Sequence, residues 1–300
     1  MMIEDIKNIE QNLELNKQFP NQNLNSLGNV KQLKKFSFNV REHILRLSAM
    51  GGCYIGSALS LVEITTYLYN NFLNINPENF DNPERDYVFL SKGHSVPVLY
   101  STFVELGWMT EKRLDNHLKI TDDIYWHPNI NIPGVEFPAG SLGHNLSVAI
   151  GVAIDCKLKE QYNKVLVIMG DGELNEGSVW EGLLTAGAYK LDNLIVIIDR
   201  NKLQANTQTE NLIPLEPLAD KFTSFGLSVQ RINGHDFNEI SNCLNKIPFQ
   251  NDKPSVIIAD TVRGKGIPSI ENRADRWYAN FSITEYETLI NELYFNQNPD

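Results

Sequence analysis

Four short runs of continuous apolar residues, mostly β-branched, constrain this chain most. They are Tyr87-Val88-Phe89-Leu90, Val165-Leu166-Val167-Ile168, Leu194-Ile195-Val196-Ile197-Ile198 and Val256-Ile257-Ile258-Ala259. None alternates with polar residues, so neither face of such a strand can meet water. Runs of this kind separated by helical stretches predict an α/β fold: a mostly parallel central sheet with helices on both faces. Helical spacing is read at Phe36–Met50, stopped by Gly51-Gly52, and again at Ser60–Phe72. Further helices are expected from Ser91-Lys92-Gly93-His94 to about Gly107, after Gly140-Ser141-Leu142-Gly143, from about Gly177 to Lys190, and from about Glu285. Residues 1–30, rich in Asn, Gln, Leu and Glu, are expected to form a polar leader without chemistry. Residues 31–300 are expected to form one α/β domain.

The second run opens directly into Met169-Gly170-Asp171-Gly172-Glu173-Leu174-Asn175-Glu176-Gly177. In an open parallel sheet, ligands bind beyond the carboxyl ends of the strands, which is where Asp171 falls. Flanking glycines let the backbone turn sharply and approach a ligand, and the N-terminus of the following helix favours an anion. A carboxylate beside a phosphate repels it unless a divalent cation lies between. Mg²⁺ takes hard oxygen ligands and shares them with substrate phosphates. The next strand ends in Asp199-Arg200-Asn201-Lys202-Leu203, so Asn201 offers an amide oxygen thirty positions after Asp171 and Leu203 a backbone carbonyl. An ordinary turn capped by Asp171 accounts for the tripeptide but not for this second donor strand. No GxGxxG follows a strand, Arg263-Gly264-Lys265-Gly266 lacks the spacing of a Walker loop, and the histidines have no zinc spacing.

The formal charge of −11 argues against nucleic acid or an anionic membrane as the main partner. Cys53, Cys156 and Cys243 are far apart and read as reduced thiols. No apolar run approaches the roughly 18–20 residues of a membrane span, and the N-terminus does not resemble a signal peptide. The cytoplasm is the expected location.

Strand, GDG turn, helix, strand and Asn together resemble the transketolase family, and more narrowly its N-terminal half. The resemblance runs from about Phe36 to Tyr278. It is carried by GGCYIGSALSLVEI at 51–64, RDYVFLSKGHSVPVLY at 85–100, WHPN at 126–129 and PGVEFPAGSLGHNLSVAIGVAI at 133–154. The GDG block at 170–203, NGHDFNEI at 233–240 and KPSVIIADTVRGKG at 253–266 complete it. The resemblance implies thiamine diphosphate as cofactor, with Asp171, Asn201 and the Leu203 carbonyl binding Mg²⁺ and Gly172 against the diphosphate. It places His94 near the diphosphate and the reaction centre, Gly140 and Leu142 along the cofactor, and His127 against the donor substrate's hydroxyls. Glu176 is implied to lie at the subunit contact, toward the glutamate that activates the aminopyrimidine. His43, His117 and His235 are read as structural or exposed. His144 stands where the family usually has Gln and receives no role.

In the family a pyrimidine-binding domain from another chain supplies that activating glutamate. The expectation is therefore half an active site, completed by a C-terminal transketolase subunit in an α2β2 assembly. Two positions depart from the family pattern. Tyr54 and Tyr278 stand where histidines are usual, and a tyrosine with a pKa of about 10 exchanges protons poorly near neutrality. Three readings follow. The chain belongs to an ordinary two-subunit transketolase with altered proton transfer, to a related enzyme with a different donor such as pyruvate or a modified sugar, or to a non-catalytic cofactor-binding subunit. A phosphate-binding α/β protein unrelated to thiamine is the alternative of another class.

Overall fold

In the computed structural model, which describes residues 27–297, the four apolar runs become adjacent parallel strands. The strands are β1 (Tyr87–Leu90), β2 (Val165–Gly170), β3 (Leu194–Arg200), β4 (Leu203–Gln204), β5 (Thr207–Gln208), β6 (Ser228–Asn233) and β7 (Ser255–Asp260). The main sheet has the order β1-β2-β3-β7-β6, all parallel, while β4 and β5 form a small antiparallel hairpin. Register pairs Val167 with Val196 and Ile197 with Ile257.

Alternate residues of the same strands feed two separate cores. Leu166, Ile168, Ile195, Ile197 and Ile257 face one layer; Val165, Val167, Met169, Val196, Ile198 and Ile258 face the other. That is why the runs are continuous. Each fully buried aliphatic side chain contributes about 1.5–3 kcal/mol of transfer free energy. On the first face lie α1 (Leu27–Ala49), α2 (Ile55–Leu59), α3 (Val62–Tyr67) and α4 (Pro97–Glu105). The second face carries α5 (Asn145–Leu158), α6 (Gly177–Ala188) and α7 (Leu218–Ser224). Helices α8 (Phe237–Leu244) and α9 (Ile283–Gln297) return to the first. Among the described residues no helix is long and apolar enough to cross a membrane, and the three cysteines are buried and unpaired.

Several expectations need correction. The first helix begins at Leu27, ahead of its expected start at Phe36; residues 1–26 of the expected leader lie outside the described residues. The helix expected over Ser60–Phe72 begins only at Val62. The chain breaks at Ser60-Leu61, where the Ser60 hydroxyl donates to the buried Asp199 carboxylate at 2.6 Å, with Ser57 O also 2.9 Å away. A π-helical turn then closes Leu68–Phe72. Strand β6 has no counterpart among the apolar runs, because its residues are only half-buried or exposed, unlike those of the other edge strand, β1.

One buried ion pair ties α1 to α3. Arg41 Nη2 donates to Glu63 Oε1 at 2.5 Å, and both side chains are buried. Burial alone would raise the Glu63 pKa, but the Arg41 charge and the hydrogen bond from His235 outweigh it and hold the group at about 2. A carboxyl depressed on folding contributes stability above its unfolded pKa, which is lost as the pH falls through the folded value. Glu63→Gln is therefore expected to cost about 3–5 kcal/mol at pH 7, because it leaves a buried guanidinium uncompensated. The gap from wild type should close between about pH 4.5 and 2. Urea unfolding at pH 7 and at pH 3 measures this; an unchanged midpoint at pH 7 would contradict it.

Candidate active site

The carboxyl ends of β1, β2, β3 and β7 lie side by side, and each carries polar chemistry. After β1 come Ser91, Lys92 and His94; after β2, Asp171, Gly172 and Glu173. The end of β3 carries Asp199, Asn201 and Leu203, and β7 is followed by Thr261 and Arg263.

Asp171 is buried at 1% exposure. Its Oδ1 accepts from Gly172 N at 2.8 Å, and its Oδ2 accepts from Lys202 N at 2.6 Å and Arg200 Nη1 at 3.0 Å. Asp171 thus does act as a cap, as the plainer sequence alternative holds, but of a single 3-10 turn, Gly172–Asn175. The long helix begins only at Gly177, so the amides nearest Asp171 belong to that turn and not, as the sequence pattern implies, to α6. Burial, followed by the nearby charge of Asp199, raises the Asp171 pKa to about 6; Arg200 only partly offsets this.

Asn201 Nδ2 donates to Asp199 Oδ2 at 2.9 Å, so the amide turns its oxygen the other way, where it accepts from Leu203 N at 3.0 Å. Asp199 is itself the hub of a buried cluster, accepting from Lys92 Nζ, Ser60 Oγ and Thr261 Oγ1. Among the described residues no group of three or more His, Cys, Asp or Glu side chains could hold a metal. The donor set at hand is one carboxylate, one amide oxygen and one carbonyl. All are hard oxygens and fewer than six, which suits Mg²⁺ completed by ligand phosphate and water. A buried acid disfavoured as an anion beside a second acid also gains from a divalent cation. The residues present therefore fit a Mg²⁺–diphosphate group.

Three further side chains, which lie inside the quoted motifs but are given no role by them, organise this edge. Glu173, buried, accepts from Ser91 Oγ, from Gly143 N at 2.8 Å and from Gly170 N at 3.2 Å, so one carboxylate joins the SKGH, GSLG and GDG segments. Arg200, buried, spans Asp171, Thr209 and Glu210. Arg263 is buried, donates from Nη1 to Ala205 O at 2.6 Å, and keeps an unpartnered Nε. Burial lowers its pKa to about 10, against the raising effect of Asp199 and Asp171. The sequence signal for such groups is a charged residue ending or following an apolar strand, as in Asp199 and Lys92.

Beside this edge stands an aromatic cluster. The Tyr54 ring lies 5.6 Å from His94, 6.2 Å from His127, 4.9 Å from Trp277 and 5.3 Å from Tyr278, centroid to centroid. The structure therefore brings His94, His127, Tyr54 and Tyr278 together. Burial, then the charges of Lys92, His127 and Arg263, pushes the His94 pKa down to about 3; burial also lowers that of His127. Tyr278 donates to Gly51 O at 3.1 Å. Gly52, at φ +87°, is required there, since a Cβ would stand 2.2 Å from the Tyr278 hydroxyl oxygen.

Gly140 packs on His127: a methyl group added to it would meet His127 Cδ2 at 3.5 Å. Leu142 O lies 2.9 Å from His144 Nδ1 on the exposed rim. Glu176 is exposed at the N-cap of α6, directly against Gly143. Of the histidines read as structural or exposed, His43 contacts Glu105 at 2.8 Å, His117 contacts Gly52 O at 2.9 Å and His235 contacts Glu63 at 2.8 Å.

Comparison with known proteins gives three findings. The family model described as "Transketolase, thiamine diphosphate binding domain" matches residues 45–299. Two relatives are single subunits of transketolases. An apulose-4-phosphate transketolase subunit of Actinobacillus succinogenes is 40% identical over 265 residues, covering 87% of this chain and 96% of the relative. A 6-deoxy-6-sulfo-D-fructose transketolase subunit of a Clostridium species is 36% identical over 228 residues, covering 76% of this chain and 83% of the relative. Among solved structures, the transketolase of Campylobacter jejuni superimposes with a TM-score of 0.81 at 27% identity, over 92% of this chain but only 44% of that one.

Proposed function

The chain belongs to the transketolase family, and on that premise we propose that it is the N-terminal, cofactor-holding subunit of a two-subunit enzyme. The enzyme transfers a two-carbon unit from a ketose donor to an aldose acceptor. What supports this reading is that Asp171, Asn201, Leu203 and Arg263 follow the carboxyl ends of the neighbouring strands β2, β3 and β7, with His94 after the adjoining β1. Thiamine diphosphate, when bound, supplies the nucleophilic carbon and electron sink that carbon–carbon cleavage next to a ketone needs.

In this proposal Asp171, the Asn201 amide oxygen and the Leu203 carbonyl hold Mg²⁺. The Gly172 amide and Arg263 face the diphosphate, and Gly140 and Leu142 line the cofactor. His94 and His127, held neutral, orient hydroxyl and carbonyl groups through hydrogen bonds. Tyr54 shapes the pocket wall between them. Glu176, exposed at the start of α6, faces the partner. Residues 31–300 act as one cofactor-binding unit, and the C-terminal subunit with its pyrimidine-binding domain joins it as α2β2 in the cytoplasm. Both named relatives act, by their names, on sugars carrying a phosphate or a sulfonate. We carry over only that class, a ketose with an anionic terminus.

A second reading is favoured by Tyr54 and Tyr278. Burial, and then Cys53 and Tyr54, raise the Tyr278 pKa further, so it does not serve as a base near neutrality. A 2-oxo acid donor, which loses CO₂, needs no proton taken from a donor hydroxyl. The test is to co-express the chain with its partner and add thiamine diphosphate and Mg²⁺. A ketose phosphate or pyruvate is then offered with an aldose. Two-carbon transfer from the ketose is the expected result. CO₂ release from pyruvate would favour the second reading, and cofactor binding without turnover on either donor would reduce the chain to a binding subunit.

A further inference from the structure

Arg263 sits in a loop whose backbone is gripped from two sides, and both grips meet on one buried carboxylate. Arg41 Nε donates to Lys265 O at 3.0 Å, and Arg41 Nη2 donates to Glu63 Oε1 at 2.5 Å. The other oxygen of the same carboxylate, Glu63 Oε2, lies 2.8 Å from His235 Nδ1. Val262 N then donates to His235 Nε2 at 2.8 Å. An amide can donate only to an unprotonated ring nitrogen, so this contact places the imidazole proton on Nδ1, where it is given to Glu63. Gly264 N adds a third anchor, donating to Gly56 O at 2.9 Å. Residues 262, 264 and 265 are thus each fixed, while Arg263 between them turns its buried guanidinium toward the strand ends with Nε unpartnered.

We propose that His235, Glu63 and Arg41 form a positioning relay that sets where Arg263 stands against the diphosphate of the cofactor. The relay touches neither cofactor nor substrate; it acts through the Val262–Lys265 backbone. This rests on the functional reading above, in which Arg263 faces the diphosphate. A purely structural tie between α1, α3 and the loop before α8 would need the Glu63 contacts but not the bond from Val262 to His235, which is the bond that reaches the Arg263 loop.

The two ends of the imidazole can be tested separately. An asparagine at 235 keeps a donor for Glu63 but cannot reach Val262, whereas a glutamine reaches the position of Nε2. His235→Asn, His235→Gln, Arg263→Met and the double variant His235→Asn/Arg263→Met are prepared in the full chain with its partner. Thiamine diphosphate is titrated with Mg²⁺ by calorimetry. His235→Asn is expected to weaken cofactor binding about 10-fold or more and to speed hydrogen exchange at the Val262 amide. His235→Gln should recover most of both losses, and kcat of His235→Asn at saturating cofactor should stay within about threefold of wild type. Because the relay works through Arg263, the double variant should bind no worse than Arg263→Met alone, since coupled residues are not additive. Equal losses for Asn and Gln, or a His235→Asn loss of the same factor in the Arg263→Met background, would overturn the relay. Wild-type protein that binds no cofactor would defeat the functional reading; wild type that binds, with His235→Asn unchanged, would defeat the relay alone.

Discussion

Asp171→Ala is expected to weaken Mg²⁺-dependent binding of thiamine diphosphate by at least about 100-fold and to take the activity of the assembled enzyme below detection. Loss of a residue that only orients a metal ligand already costs about 10–100-fold in affinity, and Asp171 is the one carboxylate in the proposed donor set. The substitution should not unfold the chain. Arg200, its buried partner, still has Glu210 at 2.6 Å and Glu216 at 3.4 Å, and the strand that Asp171 follows is held by two apolar cores. Asp171→Asn keeps the shape and should lose nearly as much, which separates charge from packing. Calorimetry with Mg²⁺, alongside a melting curve, measures both. Retained binding in a folded Asp171→Ala protein would mean that the cation is held elsewhere.

His94→Ala should lower kcat by about 100- to 10,000-fold, the range for removing a positioned proton-transfer or polarising side chain. Its pKa of about 3, set by burial and by Lys92, His127 and Arg263, keeps His94 a neutral imidazole down to well below neutral pH. Any fall in rate between about pH 8 and 5 must then come from another group, and the residual activity of His94→Ala should keep the wild-type pH profile. Stability, in contrast, does respond to acid through this residue. Below about pH 6.5 the unfolded chain binds a proton at His94 that the folded chain refuses until about pH 3, so stability drains away across that interval. His94→Ala should lose less stability on acidification than wild type. A variant with full kcat would remove His94 from the reaction; one with a shifted acid limb would show that it titrates in the working range.

What can be read from the sequence follows from burial. The four apolar strands, β1 at one edge included, are legible because their residues are almost all buried, so every residue of Leu194–Ile198 is apolar. Strand β6 is not: at the edge, Arg231 and Asn233 are exposed and the pattern looks like loop. The helix expected from Ser60 begins two residues later, at Val62, because a serine at the head of a helical pattern carries no sign that its hydroxyl is committed to Asp199, 139 residues away. The same holds at the site. Asp171 and Asn201 announce themselves because each directly follows a strand. Glu63 and His235 do not, since one looks like an ordinary helical acid and the other like a turn residue, and their contact spans 172 positions. Tyr278 is hard to align by sequence alone. Its place is fixed by packing on Tyr54 and by the hydroxyl bond to Gly51, which depends on a glycine at 52.

The most direct test of the account is a calorimetric titration of thiamine diphosphate into the wild-type chain with its partner, once with Mg²⁺ and once with the cation chelated. One cofactor per chain with Mg²⁺, and no measurable binding without it, is the predicted result. Absence of binding with Mg²⁺ present, or equal binding after chelation, would contradict the claim that Asp171, Asn201 and Leu203 hold the diphosphate through a cation.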